Sequence, residues 1–170
     1  MSGASSPAAY RIREARPAEH DAIGDLVARS YRDVGEIDES YFDELRDVAA
    51  RAAVVPVIAA VEQGSGRVLG AVTFVPGPGP FHEGEFGDAA SIRMLAVEPD
   101  ARGRGIGQAL VEECIRRARE LGKTTISLYT RPFMTAAHAM YERLGFVRVR
   151  DLDWEFDPGE WLYAYAKDLS

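Results

Sequence analysis

The chain has 170 residues, 46% of them hydrophobic and 28% charged, with a formal net charge of −7. Those proportions describe a globular chain long enough to bury one core and exclude a disordered or fibrous protein. A lone cysteine, Cys114, excludes an internal disulfide framework, and no apolar run approaches the ~18 residues of a membrane-spanning helix.

Residues 1–9 hold small side chains without a basic segment or a long apolar core, so they read as a disordered tail rather than a signal peptide. Residues 10–170 then form a single domain, and the expected location is cytoplasmic. Tyr10 and Ile12 alternate with Arg11 and Arg13, the period of a half-buried strand. Pro17 suits a first helical turn, and Ile23, Leu26, Val27, Tyr31 and Val34 mark one face of a helix ending near Gly35. Tyr41, Phe42, Leu45, Val48, Ala49 and Ala52 mark a second helix, capped by Asp38 or Ser40, with its charges on the opposite face. Val54 to Val61 and Val68 to Val75 read as a hairpin around a glycine-containing loop, closed by Pro76-Gly77-Pro78-Gly79-Pro80. The aperiodic stretch from Phe81 to Asp88 leads into the next strand, and a loop of that length is expected to border a site.

That strand, Ser91 to Val97, runs through a Pro-marked turn into Arg102-Gly103-Arg104-Gly105-Ile106-Gly107. A helix follows, with the apolar stripe Ile106, Leu110, Cys114, Ala118 and Leu121, and Gly122 as its stop. Glu112–Arg116 and Glu113–Arg117 are spaced to pair along it. Thr124 to Tyr129 is a strand; Thr135 caps a short helix to Leu144; Phe146 to Val149 and Trp161 to Ala166 are the last strands. The expected fold is α+β: a central mixed, mostly antiparallel sheet of about seven strands with helices on both faces.

The chemistry concentrates where the glycines meet the helix. Glycines allow close backbone approach, and the first N–H groups of a helix lack acceptors and carry the positive dipole end. Such a terminus takes an anion, and Arg102 and Arg104 favour phosphate. A P-loop is excluded because no Lys follows these glycines. A dinucleotide fingerprint fails because Gly103-x-Gly105-x-x ends on Gln108 and no ribose-binding acid ends the next strand.

What remains resembles the acetyl-CoA loop of the GNAT superfamily of N-acetyltransferases, [QR]-x-x-G-x-[GA], with Arg102, Gly105 and Gly107 at its fixed positions. The segment from Thr135 to Phe146 is similar to the family's second signature, N-x-x-A-x-x-x-Y-x-x-x-G-F, through Ala137, Tyr141, Gly145 and Phe146. Met134 departs from its opening Asn. The resemblance implies an acetyltransferase that uses acetyl-CoA. In it Tyr141 protonates the departing thiolate, and Gly103, Arg104, Gly105, Ile106, Gly107 and Gln108 hold the pyrophosphate. It also implies main-chain contacts from Leu95, Ala96 and Val97 to the pantetheine and acetyl carbonyl, and close approach of cofactor at Ala137. No metal is implied.

The proton acceptor is not where the family places it: its two usual Glu positions are Ser91 and Tyr129. His82 and His138 are nominal substitutes, each also readable as a surface or capping residue. A water chain from main-chain carbonyls near Ser91 and Tyr129 is the preferred route, with Glu85 or Asp88 as direct alternatives.

Charge is uneven. Residues 102–150 hold ten Arg/Lys against four Glu, a balance of +6, while residues 36–47, 82–88 and 151–160 carry −5, −3 and −5. Each run is either a solvated face or part of a basic cofactor half and an acidic rim for a cationic amine. The acidic total argues against nucleic acid, and a homodimer is left open. An acyl-CoA-binding regulatory module without turnover is the competing reading; retention of Tyr141 favours the enzyme.

Overall fold

The apolar runs at the centre of the chain pair first in sequence and also form the middle of the sheet. In the computed structural model, which describes residues 9–33 and 38–170, β2 (Val57–Glu62) and β3 (Val68–Val75) are antiparallel and buried along nearly their whole length. β1 (Tyr10–Glu14) joins the outer edge of β2, and β4 (Ala90–Val97) the other edge of β3, both antiparallel. β5 (Thr125–Thr130) lies parallel to β4, the one parallel pair among the described residues, and β8 (Glu160–Asp168) returns antiparallel to β5. β6 (Val147–Arg148) and β7 (Trp154–Asp157) pair with β8, giving an eight-stranded mixed sheet.

Because both faces of β2 and β3 are apolar, helices must cover both. On one face α4 (Ile106–Glu120) presents Ile106, Leu110, Val111, Cys114 and Ala118 to Ile58, Leu69, Val72, Phe74 and Ile92. On the other, α1 (His20–Arg32), α2 (Glu39–Arg46) and α3 (Val48–Ala52) bring Ile23, Leu26, Val27, Leu45 and Val48 against Val57, Ala59, Ala71, Met94 and Ala96. α5 (Thr135–Arg143) joins the α4 side through Ala137, Met140 and Tyr141.

The structure corrects several expectations. The sheet has eight strands rather than about seven. The additional one is β7, exposed throughout, whose Trp154 and Phe156 alternate with acids. The expected second helix is two: Asp47 leaves helical geometry at ψ 67°, and its carboxylate accepts the Ala50 N–H, capping α3. Arg51 is not on a solvated face but is 1% exposed, donating to the carbonyls of Glu44 and Leu45 where α2 ends. The Glu44 carbonyl also accepts the Asp47 N–H at 3.2 Å, and the guanidinium adds a donor where the helical ladder runs out. The hairpin's first strand begins at Val57 rather than Val54, because the Val54 and Val55 N–H groups turn back to the Arg51 carbonyl and Pro56 follows. Arg116 pairs with Glu113 and Glu120, whereas Glu112 takes Gln108. α5 starts after Met134 with no side-chain cap, so Thr135 is its first residue. The expected tail, apart from Ala9, and the end of the first helix at Val34 and Gly35 lie outside the described residues.

Candidate active site

β4 and β5 part company halfway along. Their ladder runs Ala90↔Ile126, Ser91↔Ser127 and Ile92↔Leu128 and then stops, so residues 93–97 have no strand partner on that side. On the β3 side, Ala71 opposes Ala96 and Thr73 opposes Arg93, which sets Met94 and Leu95 against Val72 alone. This is a β-bulge, and it bends the strand away from its neighbour. Met94 carries the strain at φ 56°, a left-handed conformation that a side-chain-bearing residue adopts at a cost of roughly 1–3 kcal/mol. Leu95 and Val97 pack toward α4, and Ala96 toward α1.

The glycine loop closes the end of this wedge. Gly105 is the residue before α4, at φ 75°, and a Cβ built there meets nothing within 4 Å. Gly103, at φ 81°, is equally open. The first helical bond runs from the Ala109 N–H to the Gly105 carbonyl, leaving the N–H groups of Ile106, Gly107 and Gln108 without helical acceptors. No acid lies in the first turn and no side chain caps it, so the dipole end is not neutralised by the helix itself. Arg102 and Gln108 are exposed. Arg104 is half-buried; its guanidinium is 3.5 Å from Glu62, and its carbonyl accepts from the Tyr10 hydroxyl. An open, positive-φ glycine cradle on an uncapped helix end fits a pyrophosphate.

α5 brings the second group. A Cβ on Gly107 would lie 3.6 Å from the Met140 sulfur and 3.7 Å from Val97, so the loop, α5 and the end of β4 converge. Tyr141 is buried, edge-to-face with Phe146 at 5.8 Å and tilted on Tyr165 at 6.2 Å. Burial, and secondarily Cys114, push its phenol well above the usual value of 10, so it stays protonated. Among the described residues its hydroxyl makes no hydrogen bond. Ala137, one turn earlier, is half-buried.

Neither usual base position bears a carboxylate. Ser91 is buried, and its Oγ has no hydrogen-bond partner. Tyr129 donates to the Leu152 carbonyl at 3.1 Å and stacks edge-on with Phe86 and Trp154. The loop from Phe81 to Asp88 lies over it: a Cβ on Gly84 would sit 2.0 Å from the Tyr129 hydroxyl, so only glycine fits there. Glu85 and Asp88 are exposed. His138 faces the Arg131 carbonyl through Nε2 at 2.9 Å and lies beside Tyr163 and Tyr165, the capping role. His82 is half-buried, with Nδ1 unpartnered. Among the described residues no group of three His, Cys, Asp or Glu could hold a metal, and no helix is long and apolar enough to cross a membrane.

Sequence reasoning missed one cluster. Arg93, on β4, forms an ion pair with Glu83 at 2.5 Å and donates to the Phe81 carbonyl at 3.2 Å, and its charge acts on the Tyr41 phenol, whose pKa is raised chiefly by burial. Tyr31 stacks edge-on with Tyr41, and the buried Arg51 feels the Arg93 charge. Burial pushes Glu83 above the carboxylate range, with Arg93 pulling it partly back. The available signal was a lone arginine between Ile92 and Met94 in an otherwise apolar strand.

A family model described as the Acetyltransferase (GNAT) family matches residues 20–146. Mycothiol acetyltransferase of Pseudarthrobacter chlorophenolicus is 28% identical over 155 residues, covering 91% of this chain and 42% of that protein. The [ribosomal protein bS18]-alanine N-acetyltransferase of Escherichia coli K12 is 41% identical over 59 residues, covering 35% of this chain and 40% of that protein. The chain thus spans less than half the length of these curated relatives in the matched regions. Among solved structures, a GNAT-family acetyltransferase from Staphylococcus aureus Mu50 superposes with a TM-score of 0.76 at 16% identity, covering 95% of this chain and 100% of that one. The yncA protein of Salmonella typhimurium, solved with its cofactor acetyl-CoA, superposes with a TM-score of 0.70 at 21% identity, covering 95% of each chain.

Proposed function

Because this chain belongs to the acetyltransferase (GNAT) family, we propose that it moves an acetyl group from acetyl-CoA to a primary amine that is cationic in solution. The carrying observation is the parting of β4 and β5 after Ile92 and Leu128, with the glycine loop at its end. When bound, acetyl-CoA supplies an activated thioester. The N–H groups of residues 103–108, with Arg102 and Arg104, hold its pyrophosphate. Main-chain groups of Leu95, Ala96 and Val97, freed from β5, hydrogen-bond along the pantetheine and at the acetyl carbonyl. The small side chain of Ala137 leaves room beside them. Tyr141, kept neutral by burial, donates its proton to the departing sulfur. A protonated amine must first lose a proton, and water reached through carbonyls near Ser91 and Tyr129 takes it.

The test is incubation of acetyl-CoA with a mixed panel of amines, following free thiol. Amine-dependent thiol release supports the reading. Tight coenzyme A binding with no release from any amine would leave a binding module instead.

A further inference from the structure

Resting on that reading, we infer that the acceptor carries a carboxylate close to its amine, as a free amino acid does, and that Arg93 binds this carboxylate in place of Glu83. Arg93 stands next to the Met94–Leu95 bulge, the point on β4 assigned to the acetyl carbonyl. Its side chain is only 10% exposed. A guanidinium that deep requires an anion, because an unpaired buried charge costs several kcal/mol. The anion it has comes from the loop rather than from the packed body of the fold. Glu83 is two residues after the Phe81 carbonyl that Arg93 also holds.

Gly84 and Phe86 rest on the Tyr129 ring, and the Asp88 carbonyl takes Lys123. The Glu83 side chain keeps 27% of its surface exposed, so it has a path to water, and its partial burial raises its carboxyl against the pull of Arg93. A ligand carboxylate can therefore take the Arg93 fork while Glu83 returns to water, and one buried ion pair replaces another. Ser91 adds a second polar group. It lies two residues before Arg93, hence on the same face of β4, and its buried Oγ lacks any partner. An ammonium carrying no anion would leave Glu83 locked on Arg93 and the loop over Tyr129.

The experiment compares free α-amino acids with their C-terminal amides, following thiol release from acetyl-CoA. The amides have the less basic amine, so intrinsic reactivity at neutral pH favours them, and a preference for the acids reports recognition. A charge-assisted contact predicts a kcat/KM ratio of at least about tenfold for the acids. In Arg93→Gln the ratio should fall to one or below, and in Glu83→Gln the KM of the acids should drop relative to the amides. If Arg93→Gln does not fold, the parent ratio and Glu83→Gln decide. Amides used as well as acids, or a ratio surviving in Arg93→Gln, would overturn the carboxylate site with the acetyltransferase intact. Thiol release by no amine would overturn both.

Discussion

Replacing Tyr141 with Phe removes one oxygen and keeps the ring. The contacts with Phe146 and Tyr165 at 5.8 and 6.2 Å belong to the ring and survive. The hydroxyl pairs with no described residue, so its loss strands no protein partner, and stability should change by less than about 1 kcal/mol. Catalysis should change much more. A positioned general acid contributes roughly 10²–10⁴-fold, and a thiolate whose acid has a pKa of ~8.5 needs the least help. The expected loss is on the order of 10² in kcat, or about 2.7 kcal/mol of barrier. Coenzyme A affinity, read by calorimetry, should not move. The pH profile gives a second check: burial raises the phenol above its usual 10, so Tyr141 should impose no falling limb below about pH 9. A Tyr141→Phe enzyme turning over at the parental rate would refute the acid role and leave Tyr141 a packing residue.

Gly105→Val puts a side chain into open space at φ 75°, so it strains the backbone by roughly 1–2 kcal/mol without a clash, and the domain should fold. Coenzyme A affinity should drop, and unchanged calorimetric affinity in the folded variant would sink the phosphate assignment. Glu113 is held at about 2, below its ordinary 4.5, chiefly by Arg116, with Arg117 adding to it. A depressed folded value stabilises above the unfolded pKa and is lost as pH falls through the folded one, so the melting deficit of Glu113→Gln should be constant above pH 5 and close as pH approaches about 2. The pair is partly exposed, so about 0.5–1 kcal/mol is expected. Finally, kcat/KM should climb with pH toward the acceptor's own pKa, and Glu85→Gln and Asp88→Asn should leave that limb in place. A plateau near pH 7 that vanishes in either variant would make the acidic loop the base.

The elements that were legible in the sequence are those in which local pattern and tertiary role coincide. The stripe Ile106, Leu110, Cys114, Ala118 is periodic because one face of α4 packs on the sheet, and these four are buried, whereas Leu121, expected to continue it, is the C-cap and is 55% exposed. The runs of β2 and β3 read as strands because both faces are covered. β7 was not legible, since its alternation of aromatics with acids buries neither face. The break at Asp47 is a contest between helix propagation and a side-chain cap, and sequence periodicity is the same on both sides of it. The glycine loop proposed to hold the cofactor was readable as a loop because it and its helix are contiguous in the chain. The proposed acceptor side draws on Tyr31, Tyr41, Glu83 and Arg93, four segments joined only by folding.

Charge shows the same distinction with a chemical consequence. The acidic runs suggested a rim that attracts a cation, yet several of their carboxylates have work inside the fold. Asp38 and Asp47 cap helices, Glu83 holds Arg93, Asp153 holds Arg148 and Glu160 holds Arg131. Of these, the caps and the Arg148 and Arg131 pairs tie together neighbouring structural elements. Glu83 differs because its partner lies beside the bulge where the chemistry is assigned. On the inference drawn above, a carboxylate there does not advertise for a cation but stands where the acceptor's own carboxylate would bind Arg93. The acidic surface and a guanidinium beside the reacting centre are then compatible demands on one acceptor, an ammonium for the field and a carboxylate for the fork.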